Sequence, residues 1–238
     1  MTDRMMSEHD QRILHSSEDP NWRTPSDCFA ALDREFQFNL DLAADRTSTL
    51  VGVKMNSQIE ESYLGPGSHL AENALTTDWV ALGDDPQDVS GFLNPPFSRT
   101  LAAAYRTGRI KRDGGWVEHP TDPQLAQVYE IERWVRKCWE ESQKGVTVVG
   151  LIPFAPQTDW YRHYVYGHIW DGGEPLGFWG WSGHAAREER RLPHRISFLR
   201  ADGSKANNAG VNTAIIVWKP NPGIIGPWQP HQFYWSYR

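Results

Sequence analysis

The stretch Gly91-Phe92-Leu93-Asn94-Pro95-Pro96-Phe97-Ser98 carries the most specific chemistry in this 238-residue chain. Val89 to Leu93 reads as a short apolar strand that stops at Asn94-Pro95-Pro96-Phe97. Two successive prolines cannot continue a ladder, so the chain must turn there. The turn has few amide donors. The Asn94 side-chain oxygen and the Pro95 carbonyl are then free to accept hydrogen bonds from one NH₂ group, and Phe97 can stack on the ring that bears it. Such a group suits methylation of an exocyclic amine, a poor nucleophile because its lone pair is delocalised into the ring. Two acceptors on its hydrogens favour a more tetrahedral nitrogen and aim the lone pair at an electrophilic methyl. The plain alternative is a strand-terminating turn, because Pro-Pro breaks structure anywhere.

Other chemistry-bearing residues are less specific. Asp41 ends an alternating segment, Phe36 to Leu42, and reads either as a ligand group or as a solvated strand-end carboxylate. Arg99 to Arg112 and Arg187 to Lys205 are locally basic; Arg106, Arg109, Arg112, Arg187 and Arg191, with Arg190 and Arg195, are candidates for phosphate contact or simply a charged surface. His163, His168, His184 and His194 fit no HExxH or Cys/His zinc spacing and read as surface or loop residues, so no metal site is expected. Neither a P-loop nor a GxSxG signature occurs.

The elements that must hold the Asn94 turn follow from pattern. Thr24-Pro25-Ser26-Asp27 is a helix start, with Thr24 as cap and Pro25 at the first helical position, leading into the stripe Phe29, Leu32, Phe36. Strands are expected at Phe36–Leu42, Val89–Leu93, Val146–Ile152, Arg195–Leu199 and Thr213–Trp218. Val146–Ile152 is a continuous apolar run, as in a buried parallel strand. One helix is expected over Gln124–Lys144, capped by Gly145, and a shorter one from Thr158 to Val165. Residues 1–20 read as a flexible arm, residues 99–122 as an inserted loop, and residues 167–194 as a Trp/Gly-rich loop. Strands alternating with helices imply one α/β layered domain over residues 21–238 with a mostly parallel sheet.

Composition sets the outer bounds. Apolar residues make up 39% and charged residues 23%, so the chain can bury a sizeable core and is neither disordered nor membrane-spanning. Two cysteines exclude a disulfide scaffold and a four-Cys zinc site. An intracellular, cytoplasmic protein is expected. Twelve tryptophans can fill a core or stack on planar ligands, so composition does not choose between these. The net charge of −6 is unevenly spread. Residues 1–98 carry 6 Lys and Arg against 17 Asp and Glu, and residues 99–238 carry 18 against 13, which permits an acidic and a basic face.

Taken together, Trp22-Arg23-Thr24-Pro25, Phe36 to Ala44, Tyr63-Leu64, Glu72-Asn73-Ala74-Leu75, Asp78-Trp79 and Asn94 to Ser98 resemble the phage-type DNA N6-adenine methyltransferase family. Weaker matches follow at Trp134 to Lys137, Leu151 to Pro153, Arg195 to Phe198 and Ala214 to Trp218. Several motifs in order are more specific than one tetrapeptide. The resemblance implies a Rossmann-like S-adenosylmethionine-dependent methyltransferase fold, S-adenosylmethionine as donor and adenine in DNA as acceptor; no obligatory protein partner is evident in the sequence. It carries Asn94, Pro95, Pro96 and Phe97 over as the catalytic motif. Asp41 and Ala43 carry over as the donor-binding edge, Glu72, Asn73 and Ala74 as the edge near the donor's adenine, and Thr24 and Pro25 as the helix start near its methionine end. Phe97 stands where the family more often has Tyr, which keeps the stacking face and loses a hydroxyl. Ser48 stands where the family tends to have Asn. Two alternatives stay open: the same chemistry on cytosine N4, RNA or a protein glutamine, and a catalytically silent nucleic-acid-binding protein.

Overall fold

The computed structural model describes residues 22–52, 62–112, 115–170, 179–181, 184–206, 212–220 and 230–237. The arm expected over residues 1–20 and much of the Trp/Gly-rich loop lie outside these. A six-stranded sheet organises the rest, in the order β1 (Leu40–Asp41), β2 (Ser90–Leu93), β5 (Thr147–Pro153), β9 (Thr213–Trp218), β8 (Glu188–Arg191), β10 (His231–Tyr234). Pairings β1–β2, β2–β5 and β8–β10 are parallel; β5–β9 and β9–β8 are antiparallel. Five strands thus run one way and β9 alone runs against them. The mixed α/β class and mostly parallel sheet agree with the sequence expectation.

Alternation along the strands splits the core into two layers. Leu93, Val148, Ile152, Ala214, Ile216 and Trp218 face one side, where they meet Trp134, Val135 and Cys138 of helix α4 (Ile131–Gln143). Phe92, Val149, Leu151, Ile215 and Val217 face the other, against Cys28, Phe29 and Leu32 of helix α1 (Ser26–Phe36). A one-residue slip of β5 or β9 would exchange the two sets, so register is strongly fixed. Both cysteines are buried free thiols, and burial pushes Cys28 up to about 12.

Five local expectations are corrected. The strand expected over Phe36–Leu42 is confined to Leu40–Asp41, because Phe36 ends α1 and Gln37 turns the chain in the left-handed region at φ 49°. Pro25, not Thr24, occupies the N-cap of α1, and the Asp27 carboxylate takes the Cys28 amide at that end at 2.8 Å. The single helix expected over Gln124–Lys144 is two, α3 (Pro123–Val128) and α4, because the Tyr129 carbonyl accepts the Ser98 amide at 3.2 Å and Glu130 turns toward Arg133. The inserted loop at 99–122 contains helix α2 (Arg99–Thr107) and a hairpin of β3 (Arg109–Arg112) with β4 (Gly115–Glu118). Arg195–Leu199 is not a sheet strand. Glu188–Arg191 takes that edge of β9, and Leu199 forms only isolated bridges to Arg23 and Lys205. Helix α5 (Asp159–Tyr164) and a short pair, β6 (His168–Trp170) with β7 (Trp179–Trp181), complete the described elements. Among the described residues no helix is long and apolar enough to cross a membrane.

Gly65 locks the loop after β1. Its φ is +147° and a Cβ there would lie 2.0 Å from the Ala44 carbonyl oxygen, a backbone atom that cannot swing aside. Gly65→Ala should cost about 3 kcal/mol through backbone strain and overlap. A fall in Tm of about 6–12 °C by calorimetry is expected; an unchanged Tm would show that the Ala44–Gly65 approach is not a constraint.

Candidate active site

The strands β1, β2 and β5 end on one edge of the sheet, and such carboxyl edges are where open α/β sheets bind ligands. A cavity of about 1530 Å³ opens there. Trp22, Asn94, Pro95, Phe97 and Ser98 line it with Phe154, Trp160 and Phe198 from elsewhere in the chain, and Asn73, Leu75 and Thr76 form another part of the wall. Five cations (Arg99, Arg106, Arg133, Arg136, Lys137) and three carboxylates (Glu130, Glu132, Glu140) also border it, a positive excess in a chain of net charge −6. Such an excess draws polyanions.

The turn after β2 is held at both ends. Asn94 Nδ2 donates to the Trp22 carbonyl at 2.9 Å. The amide nitrogen is thereby committed, and the structure gives Oδ1 no donor among the described residues. Pro95 is buried and Pro96 half-buried; neither supplies an N–H. Ser98 then caps α2, its Oγ accepting from Leu101 N at 3.2 Å. A polar acceptor at Asn94, a carbonyl at Pro95 and the ring of Phe97 therefore stand in one cavity, on a turn anchored to a strand before it and a helix after it.

Aromatic walls complete the cavity. Trp22 stacks on Phe198 at 5.8 Å, and Arg23 pairs with Leu199 through two backbone hydrogen bonds of 2.8 and 2.9 Å. Phe154 follows directly on β5. Its ring meets Tyr161 edge-on at 6.0 Å and lies under the Arg191 guanidinium at 5.3 Å. Arg191 is held in turn by Glu189 at 2.8 Å, a fully buried carboxylate that also accepts from the Tyr161 and Tyr166 hydroxyls. The sequence does not mark Phe154, Trp160 or the α4 residues as lining a site. The one signal for Phe154 is its place just past an apolar strand.

Asp41 sits one strand over, level with Phe92. It is 4% exposed and does not line the cavity. Its Oδ1 accepts from Ala43 N at 3.4 Å and its Oδ2 from Leu50 N at 3.3 Å. Burial pushes its carboxyl up to about 7 against those two bonds. Asp41 thus ties together the loop after β1, which Asp45 braces further by accepting from Thr47 and Ser48 amides. Ser48 returns the bond, its Oγ accepting from Asp45 N at 2.8 Å.

The other sequence-predicted residues divide by place. Asn73 lines the cavity while its Oδ1 accepts from Leu75 N at 3.0 Å. Ala74 is buried beneath, its carbonyl taking the Trp79 indole N–H at 2.9 Å, and Glu72 is exposed outside the cavity. Thr24 is 3% exposed, and its hydroxyl has no hydrogen-bond partner among the described residues. It lies two residues from Trp22, just before Pro25 and the start of α1.

Among the basic residues, Arg106 lines the cavity and pairs with Glu130, which also holds Arg133 at 2.9 Å. Arg109 and Arg112 lie on the exposed hairpin. Arg187 and Arg191 lie at the β8 edge, and Arg191 is engaged as described. Arg190 cannot reach phosphates. It is 2% exposed and bonds Glu35 at 2.6 Å and Glu188 at 2.7 Å beneath Phe36 and Phe233. His184 is likewise not a surface residue: it is buried, Nε2 lies 2.8 Å from Ser142 Oγ, and burial pushes it down to about 4.

The sequence matches the family model described as DNA N-6-adenine-methyltransferase (Dam) over residues 11–226. No curated protein and no solved structure matches it.

Proposed function

The chain belongs to the DNA N-6-adenine-methyltransferase family, and from that premise we propose that it takes its methyl group from S-adenosylmethionine and transfers it at the Asn94 turn to an adenine extruded from DNA. The family is one of enzymes that methylate adenine N6 in DNA. The observation that carries the site assignment is the committed Asn94 amide nitrogen. Because Nδ2 is bonded to Trp22, Oδ1 is the end left to accept.

In this reading Asn94 Oδ1 and the Pro95 carbonyl accept the two hydrogens of the adenine N6 amine. Phe97 stacks on the base, with Pro96 fixing the ring's place behind it. Stacking of this kind contributes about 1–3 kcal/mol per base. A base inside a duplex cannot reach this cavity, so it must leave the stack. The rings of Trp22, Phe154 and Phe198 line the cavity around Asn94 and reduce its contact with water, which strengthens the two acceptor contacts.

S-adenosylmethionine, when bound, supplies an electrophilic methyl. The residues present fit such a donor. The orphaned Thr24 hydroxyl, just before Pro25 and the start of α1, suits a polar group at the donor's methionine end, beside the Asp27 carboxylate that takes the Cys28 amide. Asn73, with Glu72 and Ala74 beside it, lies on the wall where the donor's adenine would rest. Asp41 holds the Ala43 loop as a positioning residue. The resulting reading is a Rossmann-like methyltransferase acting in the cytoplasm, within a host cell if phage-encoded.

Calorimetric titration of the chain with S-adenosylmethionine tests the donor assignment. Saturable one-site binding is expected, with weaker binding in Thr24→Val. Absence of any donor binding would support the silent nucleic-acid-binding alternative.

A further inference from the structure

We infer that the β3–β4 hairpin, Arg109 to Glu118, is an arm that docks into the groove of the DNA duplex beside the extruded adenine. The inference rests on the methylation reading above for the position of the target base.

The hairpin forms a two-stranded sheet separate from the main one. Its base is firmly set. His119 N donates to the Gly108 carbonyl at 2.9 Å, and the His119 ring meets Tyr105 of α2 edge-on at 4.5 Å. β4 leaves two large apolar side chains in water. Trp116 is 68% exposed and Val117 44%. An exposed tryptophan beside an exposed valine removes little apolar area from water in the isolated chain, so folding does not explain the pair.

Charge identifies the partner. Lys111 stands directly across from Trp116 and Arg112 across from Gly115, while Arg109 has Glu118 opposite it. Arg109, Lys111 and Arg112 form no ion pair among the described residues, unlike Arg106, Arg133 and Arg136, which are each matched by a glutamate. Such cations flanking an open aromatic ring fit a phosphate backbone with bases between.

Placement agrees. Helix α2 starts at the end of the Asn94 turn and its nine residues cover about 13 Å. The hairpin therefore leaves the protein within one duplex diameter of the reacting base. A two-stranded ribbon fits a major groove about 12 Å wide. Lys111 and Arg112 then meet phosphates and Trp116 meets base edges on the groove floor.

Fluorescence anisotropy with a labelled duplex oligonucleotide tests the arm, alongside donor calorimetry and sedimentation of the free protein. Trp116→Ala should weaken duplex binding about tenfold, with Trp116→Tyr restoring most of it. The double variant Lys111→Ala/Arg112→Ala should lower the log–log salt slope by about 0.9 for each phosphate no longer neutralised. Donor affinity and Tm should not move, since these side chains are exposed. Unchanged duplex affinity and salt slope would overturn the assignment. So would a change in sedimentation with unaltered DNA affinity, which would give the arm to a second copy of the chain. If wild-type protein binds duplex through this arm yet methylates no DNA, the methylation reading fails and the arm stands. If it methylates DNA and the arm variants behave as wild type, only the arm fails.

Discussion

Asn94→Ala should lower kcat by about 10²- to 10³-fold, the cost of removing one preorganised polar contact to a reacting group. Alanine removes the Oδ1 acceptor and also the bond to the Trp22 carbonyl at 2.9 Å. The remaining acceptor, the Pro95 carbonyl, holds only one amine hydrogen, so the nitrogen stays closer to planar and its lone pair stays in the ring. Donor affinity should remain within about twofold, because Asn94 addresses the acceptor base. The fold should survive, since the turn keeps its two prolines and its Ser98 cap. Single-turnover rates with saturating donor and DNA isolate the chemical step. A rate near wild type would take Asn94 out of the mechanism.

Asp41→Ala should weaken donor binding about 10- to 100-fold, the range for losing a charged hydrogen-bond acceptor, while DNA affinity holds. The carboxylate receives the Ala43 and Leu50 amides, so its loss frees the loop on which the donor is proposed to rest. The same group sets a pH dependence. Its pKa is raised from 3.8 to about 7 by burial, so the folded chain binds a proton that the unfolded chain releases. Its stabilising contribution is full below about 3.8 and is lost as pH rises to about 7. Asp41→Asn cannot ionise but keeps only one acceptor oxygen for the two amides, so it should start less stable than wild type at low pH, lack the wild-type fall across that window, and show a constant difference above it. Donor binding should run the other way. The loop amides bond the charged form, so wild-type affinity should climb with pH until about 7 and level off, and the Asn variant should lack that climb. Equal donor affinity in wild type and Asp41→Ala would dissociate this loop from the donor.

What the sequence could tell depended on whether a signal was local. The apolar run Val146–Ile152, the Val89–Leu93 strand and the Pro-Pro turn are local, and the structure has β5, β2 and a turn there. Glu188–Arg191 was not readable as a strand because four charged residues in a row look solvated. In the fold they neutralise one another, Arg190 with Glu35 and Glu188, Arg191 with Glu189. Arg195–Leu199 misled in the opposite sense. Ile196 and Phe198 are buried as alternation suggests, yet β9 already has its neighbour. Apolar periodicity carried through Leu125, Val128, Ile131 and Val135 across the break at Tyr129, which is set by the distant Ser98 amide. The turn that brings Asn94, Pro95 and Phe97 to the cavity was legible in four letters. As cavity residues, Trp22 and Phe198 entered only as parts of matching motifs and Phe154 not at all, because only the fold brings residues so far apart in sequence to one cavity.

The most direct test of the central claim is nucleoside analysis of DNA incubated with the wild-type chain and methyl-labelled S-adenosylmethionine. Digestion should place the label on N6-methyl-2′-deoxyadenosine, and DNA treated with the Asn94→Ala chain should carry almost none. Label on cytosine, or no label on DNA from a chain that binds the donor, would contradict the account.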